Sequence, residues 1–364
     1  MIKILHILPG ADAGGISTVV LNYFSKIDRN SFSFDICLTT NIEGINAEKL
    51  KQLGANIFHI PLKSKSLKMY KKSLQKILKS NNYDVIHVHE NLTSFVALRV
   101  AKKCGIKIRI AHSHTTAPTN SLFEDFKRRI CMLLNRIYAT KLIGCGKMAA
   151  KRVFGKSNKV IILPNSINSK RFSYDENIRN KKRAELNIQN KFVIGTVGRL
   201  SKQKNQMFLL KIAKQLTSID NSVVFLIVGN GNLFPQLDSY IRDNDLSENV
   251  KLIGKSDNVP ELLQIFDVFV MPSLYEGFPV AAVEALASGL KVLLSNTITS
   301  ELSIFDYVTY LPIKHDEDIL LWVNQISSIK NNKYPREQRD LIVSKNGFNI
   351  ENTVKQLERI YMGE

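Results

Sequence analysis

The stretch that decides the fold of this chain runs from Phe266 to Gly289 and reads FDVFVMPSLYEGFPVAAVEALASG. Its apolar run Val268–Met271 predicts a buried parallel strand, because such strands are covered on both faces. A loop follows, and a helix is predicted to begin near Val280 and to end at Gly289, since glycine suits the left-handed conformation of a helix C-terminus. The stretch therefore predicts one strand–loop–helix unit of an α/β protein.

Two glutamates flank the start of that helix, Glu276 in the loop and Glu284 one turn inside the helix. A helix N-terminus has unpaired N–H groups and the positive end of the helix dipole, which suit a phosphate. The two carboxylates would repel a phosphate, but they would accept hydrogen bonds from hydroxyl groups beside it. A nucleotide-diphosphate sugar has both kinds of group. Spacing alone also allows a simpler interpretation, in which Glu276 is a loop residue and Glu284 an acid favoured by the helix dipole.

Composition indicates an ordinary globular protein of two domains, with 364 residues of which 44% are hydrophobic and 23% charged. No apolar run reaches the roughly 18 residues that a membrane span needs. The first eight residues are expected to form a strand rather than a signal peptide. The four cysteines are scattered without a CxxC pair, which predicts reduced thiols in a cytosolic protein rather than disulfides or a zinc site.

Positive charge is concentrated in the N-terminal half of the chain. Residues 1–169 contain 27 Lys and Arg against 9 Asp and Glu, a net charge of +18, whereas residues 170–364 contain 24 against 23, a net charge of +1. Two segments without an acidic residue, 63–79 and 127–159, contain seven and ten basic residues. Such an excess suits solvated helix faces, an anionic membrane surface, an acidic acceptor or nucleic acid.

Strand and helix patterns alternate along both halves of the chain, and a polar segment at 164–190 between them is interpreted as a junction. The alternation predicts two doubly wound parallel sheets, with ligands at the carboxyl ends of the strands in a central cleft. We expect an N-terminal domain of residues 1–168 and a second domain of residues 169–346. A C-terminal helix at 347–364 is expected to pack back onto the first domain.

A basic loop follows the first strand of the second half. It begins at Gly198 and contains Arg199 and Lys204. Arginine offers donors in a fixed geometry and lysine a point charge. The pair could therefore hold a diphosphate and stabilise it as a leaving group.

Glycine-containing loops follow two other strands. Gly14 and Gly15 precede the first helix, where they either let a ligand approach the backbone or form a plain turn. Gly229 and Gly231 follow a strand in the second half but lack the third glycine of a dinucleotide fingerprint. A nicotinamide enzyme is therefore disfavoured.

Four histidines lie at the carboxyl ends of two predicted strands. His87 and His89 lie at the end of one strand, and His112 and His114 lie at the end of the other. The alternation of a strand puts both members of each pair on one face. No carboxylate or cysteine accompanies them at metal-ligand spacing, so we expect them to line a sugar pocket rather than to hold a metal. A structural role with satisfied hydrogen bonds is an equal alternative for each of them.

Taken in order, these motifs resemble family 4 of the retaining glycosyltransferases, whose fold of two Rossmann-like α/β domains is called GT-B. Glu276 and Glu284 resemble the family's E-x7-E motif, and Arg199 with Lys204 resembles its phosphate-binding pair. The remaining matches are glycines of the N-terminal loop and of two strands beside the nucleotide: Gly14, Gly15, Gly229 and Gly254. The histidine segments are similar to those of bacterial exopolysaccharide and capsule transferases, and the resemblance covers nearly the whole chain.

The resemblance implies a hexosyltransferase that uses a nucleotide-diphosphate sugar, with UDP as the expected nucleotide and no metal cofactor. Glu284 would bind the ribose hydroxyls, and Glu276 would contact the transferred sugar. Arg199 and Lys204 would neutralise the departing diphosphate. His114 would lie next to the donor sugar, with His112 as the alternative. The other implied donor contacts are Gly277, Phe278, Pro279, Val280, Gly14, Gly15, Gly229 and Gly254. The candidates on the acceptor side are His87, His89 and His112.

Two positions depart from the family pattern. The segment 165–168 reads NSIN where the family often has Asn-Gly-(Val/Ile)-Asp, and Asn205 stands after Lys204 where the family often has glycine. We expect these changes to alter loop detail without loss of activity.

The resemblance further implies a lipid-linked or saccharide acceptor in cell-surface polysaccharide synthesis, at the cytoplasmic face of the cell membrane. Basic amphipathic helices predicted at 67–79 and 122–139 could rest on anionic lipid there. Two alternatives stay open. A nucleotide-sugar epimerase of the same fold is disfavoured by the E-x7-E motif. A nucleic-acid-binding protein would fit the pI near 9.7 but should show aromatic stacking clusters, which are not apparent.

Overall fold

The chain forms two compact units. The first unit is Met1–Ser166 together with Ile350–Glu364, and the second unit is Ile167–Asn349. The structure is a computed structural model, and it describes residues 1–11, 15–40, 43–119, 121–332 and 334–364.

The first unit contains a seven-stranded sheet in which every neighbouring pair is parallel. Its strands are β1 (Ile2–Leu8), β2 (Phe32–Leu38), β3 (Ile57–His59), β4 (Val85–Val88), β5 (Ile108–Ser113), β6 (Lys141–Gly144) and β7 (Val160–Ile162). Its first six helices are α1 (Gly15–Lys26), α2 (Ile45–Gln52), α3 (Leu67–Asn81), α4 (Phe95–Lys103), α5 (Leu122–Tyr138) and α6 (Lys147–Phe154). In space the strand order is β3-β2-β1-β4-β5-β6-β7, so the order reverses between β1 and β4. Ligands in such sheets bind outside the carboxyl ends of the strands at the reversal.

The second unit contains a six-stranded parallel sheet with the same kind of reversal. Its strands are β8 (Phe192–Val197), β9 (Val223–Val228), β10 (Val250–Gly254), β11 (Val268–Met271), β12 (Lys291–Ser295) and β13 (Val308–Leu311). Its helices are α7 (Glu176–Glu185), α8 (Gln206–Thr217), α9 (Phe234–Asp243), α10 (Val259–Ile265), α11 (Val280–Ala287), α12 (Asp318–Asn331) and α13 (Arg339–Val343). The spatial order is β10-β9-β8-β11-β12-β13, so the reversal lies between β8 and β11. The basic loop follows β8, and the loop with Glu276 follows β11.

Two doubly wound parallel sheets are therefore confirmed. All four residues of β11 and all six of β9 are buried, as expected for continuous apolar runs in a sheet covered on both faces. α11 begins at Val280 as predicted, and Gly289 has a φ of +75° just beyond its end. The decisive stretch thus forms the predicted strand, loop and helix.

The segment 164–190, interpreted as a junction, contains the boundary between the units, after Ser166, and also a helix that the sequence did not predict, α7. Asp175 caps the helix by accepting hydrogen bonds from the N–H groups of Asn177 and Ile178. Two arginines of α7, Arg179 and Arg183, both pair with Asp267 at the start of β11. The sequence pattern does not predict this helix, because ion pairs rather than an apolar stripe attach it to the second unit.

The last helix of the chain, α14 (Ile350–Met362), belongs to the first unit. It packs against α1, and Glu358 accepts a hydrogen bond from the N–H of Asp28 at 3.1 Å. Tyr361 is 1% exposed and lies among the aromatic rings of the first sheet. A residue far away in sequence thereby joins the centre of the first unit.

Candidate functional site

The loop after β8 packs backbone to backbone against the loop after β9. The N–H of Gly198 donates to Val228 O at 2.9 Å, and the N–H of Leu200 donates to Asn230 O at 3.0 Å. Gly229 has a φ of +139°, and a Cβ there would lie 2.0 Å from the carbonyl oxygen of Gly198. Only glycine fits at 229 for this reason. This packing role follows from the structure, whereas donor contacts of Gly229 and of Gly254 stay predictions.

Lys204 and Glu276 form an ion pair. Lys204 Nζ lies 2.7 Å from Glu276 Oε1, and the side chains are 20% and 8% exposed. A Cβ on Gly198 would lie 3.2 Å from Cε of Lys204, so the glycine leaves room for the lysine side chain. A charge that is this well covered needs a partner, and the pair places one cation and one carboxylate together at the sheet reversal.

Two residues that the sequence did not assign to the site, Gln203 and Asn205, fix the position of this pair. The side-chain amide of Gln203 donates to Tyr275 O at 2.9 Å, and Gln203 O accepts from Leu274 N at 2.8 Å. Asn205 has a φ of 55° and donates from Nδ2 to Pro272 O at 3.1 Å. Asparagine tolerates this left-handed conformation, which explains how it can replace the glycine of the family pattern. The departure from the pattern at 205 was the signal that could have identified this contact.

Arg199 is exposed, and its guanidinium makes no hydrogen bond or ion pair within the residues that the structure describes. The loop holds its backbone, because Arg199 O accepts a hydrogen bond from Gln206 Nε2 at 2.9 Å. The structure therefore presents the guanidinium on an anchored loop, with its donors unpaired in the described part of the chain.

Glu284 is half-buried on α11, and its carboxylate has no hydrogen bond or ion pair among the described residues. Burial raises its pKa from 4.5 to about 7, and the nearby positive charge of Arg171 opposes that shift. Arg171 lies in a short 3₁₀ segment, Ser169–Phe172, that packs against α11. Such a carboxylate is available to hydroxyl groups of a ligand, and its arginine neighbour could not be seen from the sequence.

The backbone between Gly277 and Val280 offers fewer donors than expected. The N–H of Val280 donates to Phe278 O at 3.0 Å, and Pro279 has no N–H. The N–H groups of Gly277 and Phe278 have no acceptor in the described part of the chain. Any role in anion binding therefore falls to those two amides, and it stays a prediction.

The predicted glycine loop of the first unit is only partly described. Gly14 lies outside the described residues. Gly15 is the first residue of α1, and a Cβ there would meet nothing within 4 Å. Crowding thus gives no reason for glycine at 15, and its contact with a donor stays a prediction.

Five histidines form a cluster at the carboxyl ends of β1, β4 and β5. This histidine cluster consists of His6, His87, His89, His112 and His114. Four of them are fully buried and His114 is half-buried. Burial lowers the pKa of all five imidazoles, to about 3 for His6 and His114, so the cluster is neutral at pH 7.

The structure adds two facts about the cluster to the sequence expectation. His87, His89 and His112 are buried with no exposed surface, and their acceptor-side role stays a prediction. His6 was missed because its strand carries no second histidine at alternating spacing. His114 is partly exposed, and its backbone N–H donates a hydrogen bond to Asn91 Oδ1 at 2.7 Å.

Two groups of three histidines place one ring nitrogen from each residue within 4.8 Å of one another. They are His6, His87 and His89, and His89, His112 and His114. Neutral imidazoles can bind transition metals. The rings are paired with each other by hydrogen bonds here, and independence from metal stays a prediction.

Comparison with known proteins matches both units to glycosyltransferases. A family described as "Glycosyltransferase Family 4" matches residues 13–171, and one described as "Glycosyl transferases group 1" matches residues 178–344. EpsF of Bacillus subtilis (strain 168), which is named as a glycosyltransferase, is 31% identical over 99% of this chain and 96% of its own length. The chain belongs to the family 4 glycosyltransferases.

Other relatives of this glycosyltransferase have more specific names. An Escherichia coli protein named UDP-Gal:alpha-D-GlcNAc-diphosphoundecaprenol alpha-1,3-galactosyltransferase is 28% identical over 99% of this chain and 97% of its own length. The capsular polysaccharide biosynthesis glycosyltransferase CapH of Staphylococcus aureus is 25% identical over 100% and 99%.

Solved structures confirm the predicted GT-B fold of the glycosyltransferase. Anabaena HepE in complex with UDP-glucose has a TM-score of 0.82 at 19% identity, with all of both chains covered. Sucrose-phosphate synthase from Thermosynechococcus elongatus has a TM-score of 0.76 at 17% identity, with 100% of this chain and 99% of that chain covered.

The glycosyltransferase exposes an apolar stripe along α5, spaced every three or four residues. Leu122 is 92% exposed and Phe126 is 61% exposed. The stripe consists of Leu122, Phe123, Phe126, Ile130, Leu133 and Ile137, and exposed Lys127, Arg129 and Arg136 lie on the same helix. We call these nine residues the α5 surface. Among the described helices, none is long and apolar enough to cross a membrane.

The second basic helix, α3, is different. Tyr70, Leu74 and Leu78 are buried, so its apolar face contributes to the core of the first unit. Of the two helices that the sequence suggested as lipid contacts, α5 is the one whose apolar face is exposed.

Proposed function

We propose that this glycosyltransferase moves a hexose, with retention of configuration, from a UDP-sugar to a lipid-linked acceptor in bacterial polysaccharide synthesis. The observation that carries the proposal is the second unit's loop pair. There the Lys204–Glu276 ion pair and the Arg199 guanidinium lie in the loops after β8 and β11, the two strands that flank the sheet reversal, and the Glu284 carboxylate lies on α11. Within the described residues, the Arg199 guanidinium and the Glu284 carboxylate have no hydrogen bond or ion pair. This is the set of groups that a diphosphate joined to two sugars requires.

In this proposal the residues divide the donor between them. Glu284 accepts hydrogen bonds from the ribose hydroxyls, and Glu276 does so from the transferred sugar. Arg199 and Lys204 bind the diphosphate, with the Gly277 and Phe278 amides beside it. The occurrence of UDP-glucose in HepE and of UDP-Gal in the name of the Escherichia coli relative supports UDP as the nucleotide.

The proposed reaction breaks the bond between the sugar's anomeric carbon and the diphosphate oxygen, and the electron pair leaves with the diphosphate. Arg199 and Lys204 stabilise the negative charge that develops there. The acceptor hydroxyl oxygen attacks the anomeric carbon from the same face, and its proton passes to the departing phosphate oxygen. The two cations supply the charge that a metal ion supplies in other transferases, so we propose that no metal is required.

The acceptor side is assigned to the first unit. The Escherichia coli relative is named for a diphosphoundecaprenol acceptor, which supports a lipid-linked substrate. The α5 surface combines exposed apolar and basic side chains, the composition of helices that lie on anionic lipid. We propose that this surface holds the enzyme at the cytoplasmic face of the cell membrane.

The test is acceptor-dependent release of UDP from a panel of UDP-sugars, with a diphospholipid-linked sugar as acceptor. We expect release only when acceptor is present, an unchanged anomeric configuration in the product by NMR, and full activity in EDTA. Lys204→Ala should lower kcat about 100-fold, as removal of a group that stabilises the leaving charge does elsewhere. Lys202→Ala, an exposed lysine of the same loop, is the matched control. Release of UDP without acceptor, or equal loss in both variants, would refute the assignment.

A further inference from the structure

The hydrogen bonds of the histidine cluster and Tyr361 form one unbranched chain of six groups. We propose that this chain forces all five imidazoles into one shared tautomer and thereby makes His114 a fixed hydrogen-bond donor toward the substrate. The statement about the substrate rests on the proposed function, whereas the shared tautomer does not.

One row of rings runs from Tyr361 to His114. The Tyr361 hydroxyl oxygen lies 3.3 Å from Nε2 of His6, whose Nδ1 lies 3.0 Å from Nε2 of His89. Nδ1 of His89 lies 2.9 Å from Nε2 of His114. The planes of the linked rings differ by only 17° and 27°, and with N···N distances of 3.0 and 2.9 Å this geometry suits in-plane N–H···N hydrogen bonds.

A second row begins at the same hydroxyl. The oxygen of Tyr361 lies 2.8 Å from Nδ1 of His87, whose Nε2 lies 3.1 Å from Nδ1 of His112. The two rows stack on each other, with ring centroids 4.3 Å apart for His87 and His89 and 4.0 Å apart for His112 and His114. The outer nitrogens, Nδ1 of His114 and Nε2 of His112, thus belong to adjacent rings. Both lack a hydrogen-bond partner within the described residues.

The number of hydrogens in this chain is fixed. A neutral imidazole has one N–H donor and one acceptor nitrogen, and a phenol has one O–H. Six groups therefore supply six hydrogens, the five links use five, and one remains for the two outer nitrogens. Because every ring is joined head to tail, from Nδ1 to Nε2, only two arrangements satisfy all links. Either every histidine carries its hydrogen on Nδ1, or every histidine carries it on Nε2.

Burial decides between the two arrangements. The spare hydrogen lies on Nδ1 of His114 in the first and on Nε2 of His112 in the second. His112 has no exposed surface, and a buried N–H without an acceptor is rarer in native proteins than an under-used acceptor. Nδ1 of His114 is covered as well, but His114 as a residue is half-buried whereas His112 is not exposed at all, so a small displacement can bring a ligand oxygen to the hydrogen only at the His114 end. The structure therefore favours Nδ1–H in all five rings.

This tautomer defines what His114 can do. Its outward nitrogen donates to an oxygen of the substrate, such as a sugar hydroxyl. It cannot act as a base, because the lone pair of an N–H nitrogen in neutral imidazole belongs to the aromatic ring. His6, His89 and Tyr361 are positioning residues, because they act on the substrate only through His114.

The direct test is NMR of the full-length chain labelled with ¹⁵N-histidine, since long-range H–N correlations show which ring nitrogen carries the hydrogen. We expect Nδ1–H in all five cluster histidines at pH 7.5, with the two other histidines, His59 and His315, as internal references. A mixture of tautomers among the five, Nε2–H throughout, or a metal ion found on the cluster by elemental analysis would overturn the proposal.

Tyr361→Phe removes the hydroxyl that joins the rows. We expect His87 and His112 to exchange between tautomers in this variant, because both ends of their row are then without a partner. The matched control is Tyr83→Phe, which loses a partly buried hydrogen bond to Asp35 (2.7 Å) in the same unit but outside the row of hydrogen-bonded histidines. An unchanged pattern in folded Tyr361→Phe would show that the rows are independent.

A kinetic measurement tests the donor role of His114. The amide of His114→Asn places an N–H near the position of Nδ1, whereas that of His114→Gln places it near Nε2. Donation from Nδ1 predicts that KM for the sugar nucleotide rises about threefold to tenfold more in the Gln variant, the effect of one lost hydrogen bond. The reverse order would refute the donor role. A wild-type chain without any transferase activity would instead refute the proposed function and leave the tautomer result standing.

Discussion

Replacement of Glu284 by glutamine should stabilise the protein at alkaline pH, although it should impair donor binding. The carboxyl group is half-buried and its pKa is raised from 4.5 to about 7. The folded state therefore holds this proton more tightly than the unfolded state. As pH rises from 4.5 through 7, the unfolded chain ionises Glu284 freely while the folded chain must accept a partly buried charge, so the free energy of unfolding falls. Glutamine cannot ionise and avoids this loss.

The magnitude follows from the shift. One pKa unit corresponds to about 1.4 kcal/mol, so a shift from 4.5 to about 7 sets an upper limit of about 3 kcal/mol. Solvent screening at a half-buried group reduces this limit. We expect the gain in stability of Glu284→Gln at pH 8 to exceed its gain at pH 5 by about 2 kcal/mol. Comparing the two pH values removes any change in packing that does not depend on ionisation.

Urea unfolding at pH 5 and pH 8 measures this difference. The single tryptophan, Trp322, is fully buried in the core of the second unit. Glu284 belongs to the same unit, so tryptophan fluorescence reports the unfolding of the unit that contains the substitution. Glu248→Gln, at an exposed glutamate of the same unit, controls for the removal of one negative charge. An equal gain at both pH values, or a loss at pH 8, would refute the idea that Glu284 is kept at a cost in stability.

Three further outcomes are expected. Lys204→Ala leaves the Glu276 carboxylate covered without its cation and should lower the free energy of unfolding by about 2–3 kcal/mol, and adding Glu276→Gln should recover most of this loss in urea titrations. Phe126→Ser with Leu133→Ser on the α5 surface should weaken sedimentation with anionic vesicles at least about tenfold, because each buried side chain contributes about 1.5–3 kcal/mol. The matched control, Leu320→Ser with Leu321→Ser on α12, should not weaken sedimentation. If both double variants sedimented equally weakly, the assignment of the α5 surface would be contradicted. Asn205→Gly should stay within about 1 kcal/mol of wild type, whereas Asn205→Val, with a β-branched residue at a φ of 55°, should lose at least about 2 kcal/mol of stability in the same titration.

The sequence by itself determined the two α/β sheets and the place of the loops that contain Lys204 and Glu276. Strand and helix periods are local properties, and a buried parallel strand such as β11 shows as a continuous apolar run. The motif around Glu276 and Glu284 could be recognised for the same reason, since its residues lie within one strand–loop–helix unit. The sequence pattern did not predict α7, because ion pairs between its arginines and Asp267, rather than an apolar stripe, hold this helix in place.

The tertiary structure alone decided which distant groups meet. Periodicity shows which face a side chain occupies but not which strands become neighbours, and neighbours determine hydrogen-bond partners and burial. His87 bonds to Tyr361, 274 residues away, and Glu284 acquires Arg171 as the charge that opposes its raised pKa. The same limit applies to α3 and α5, which have similar basic amphipathic sequences. Packing buries the apolar face of α3 and leaves that of α5 exposed, because only the fold determines which helix face meets the core.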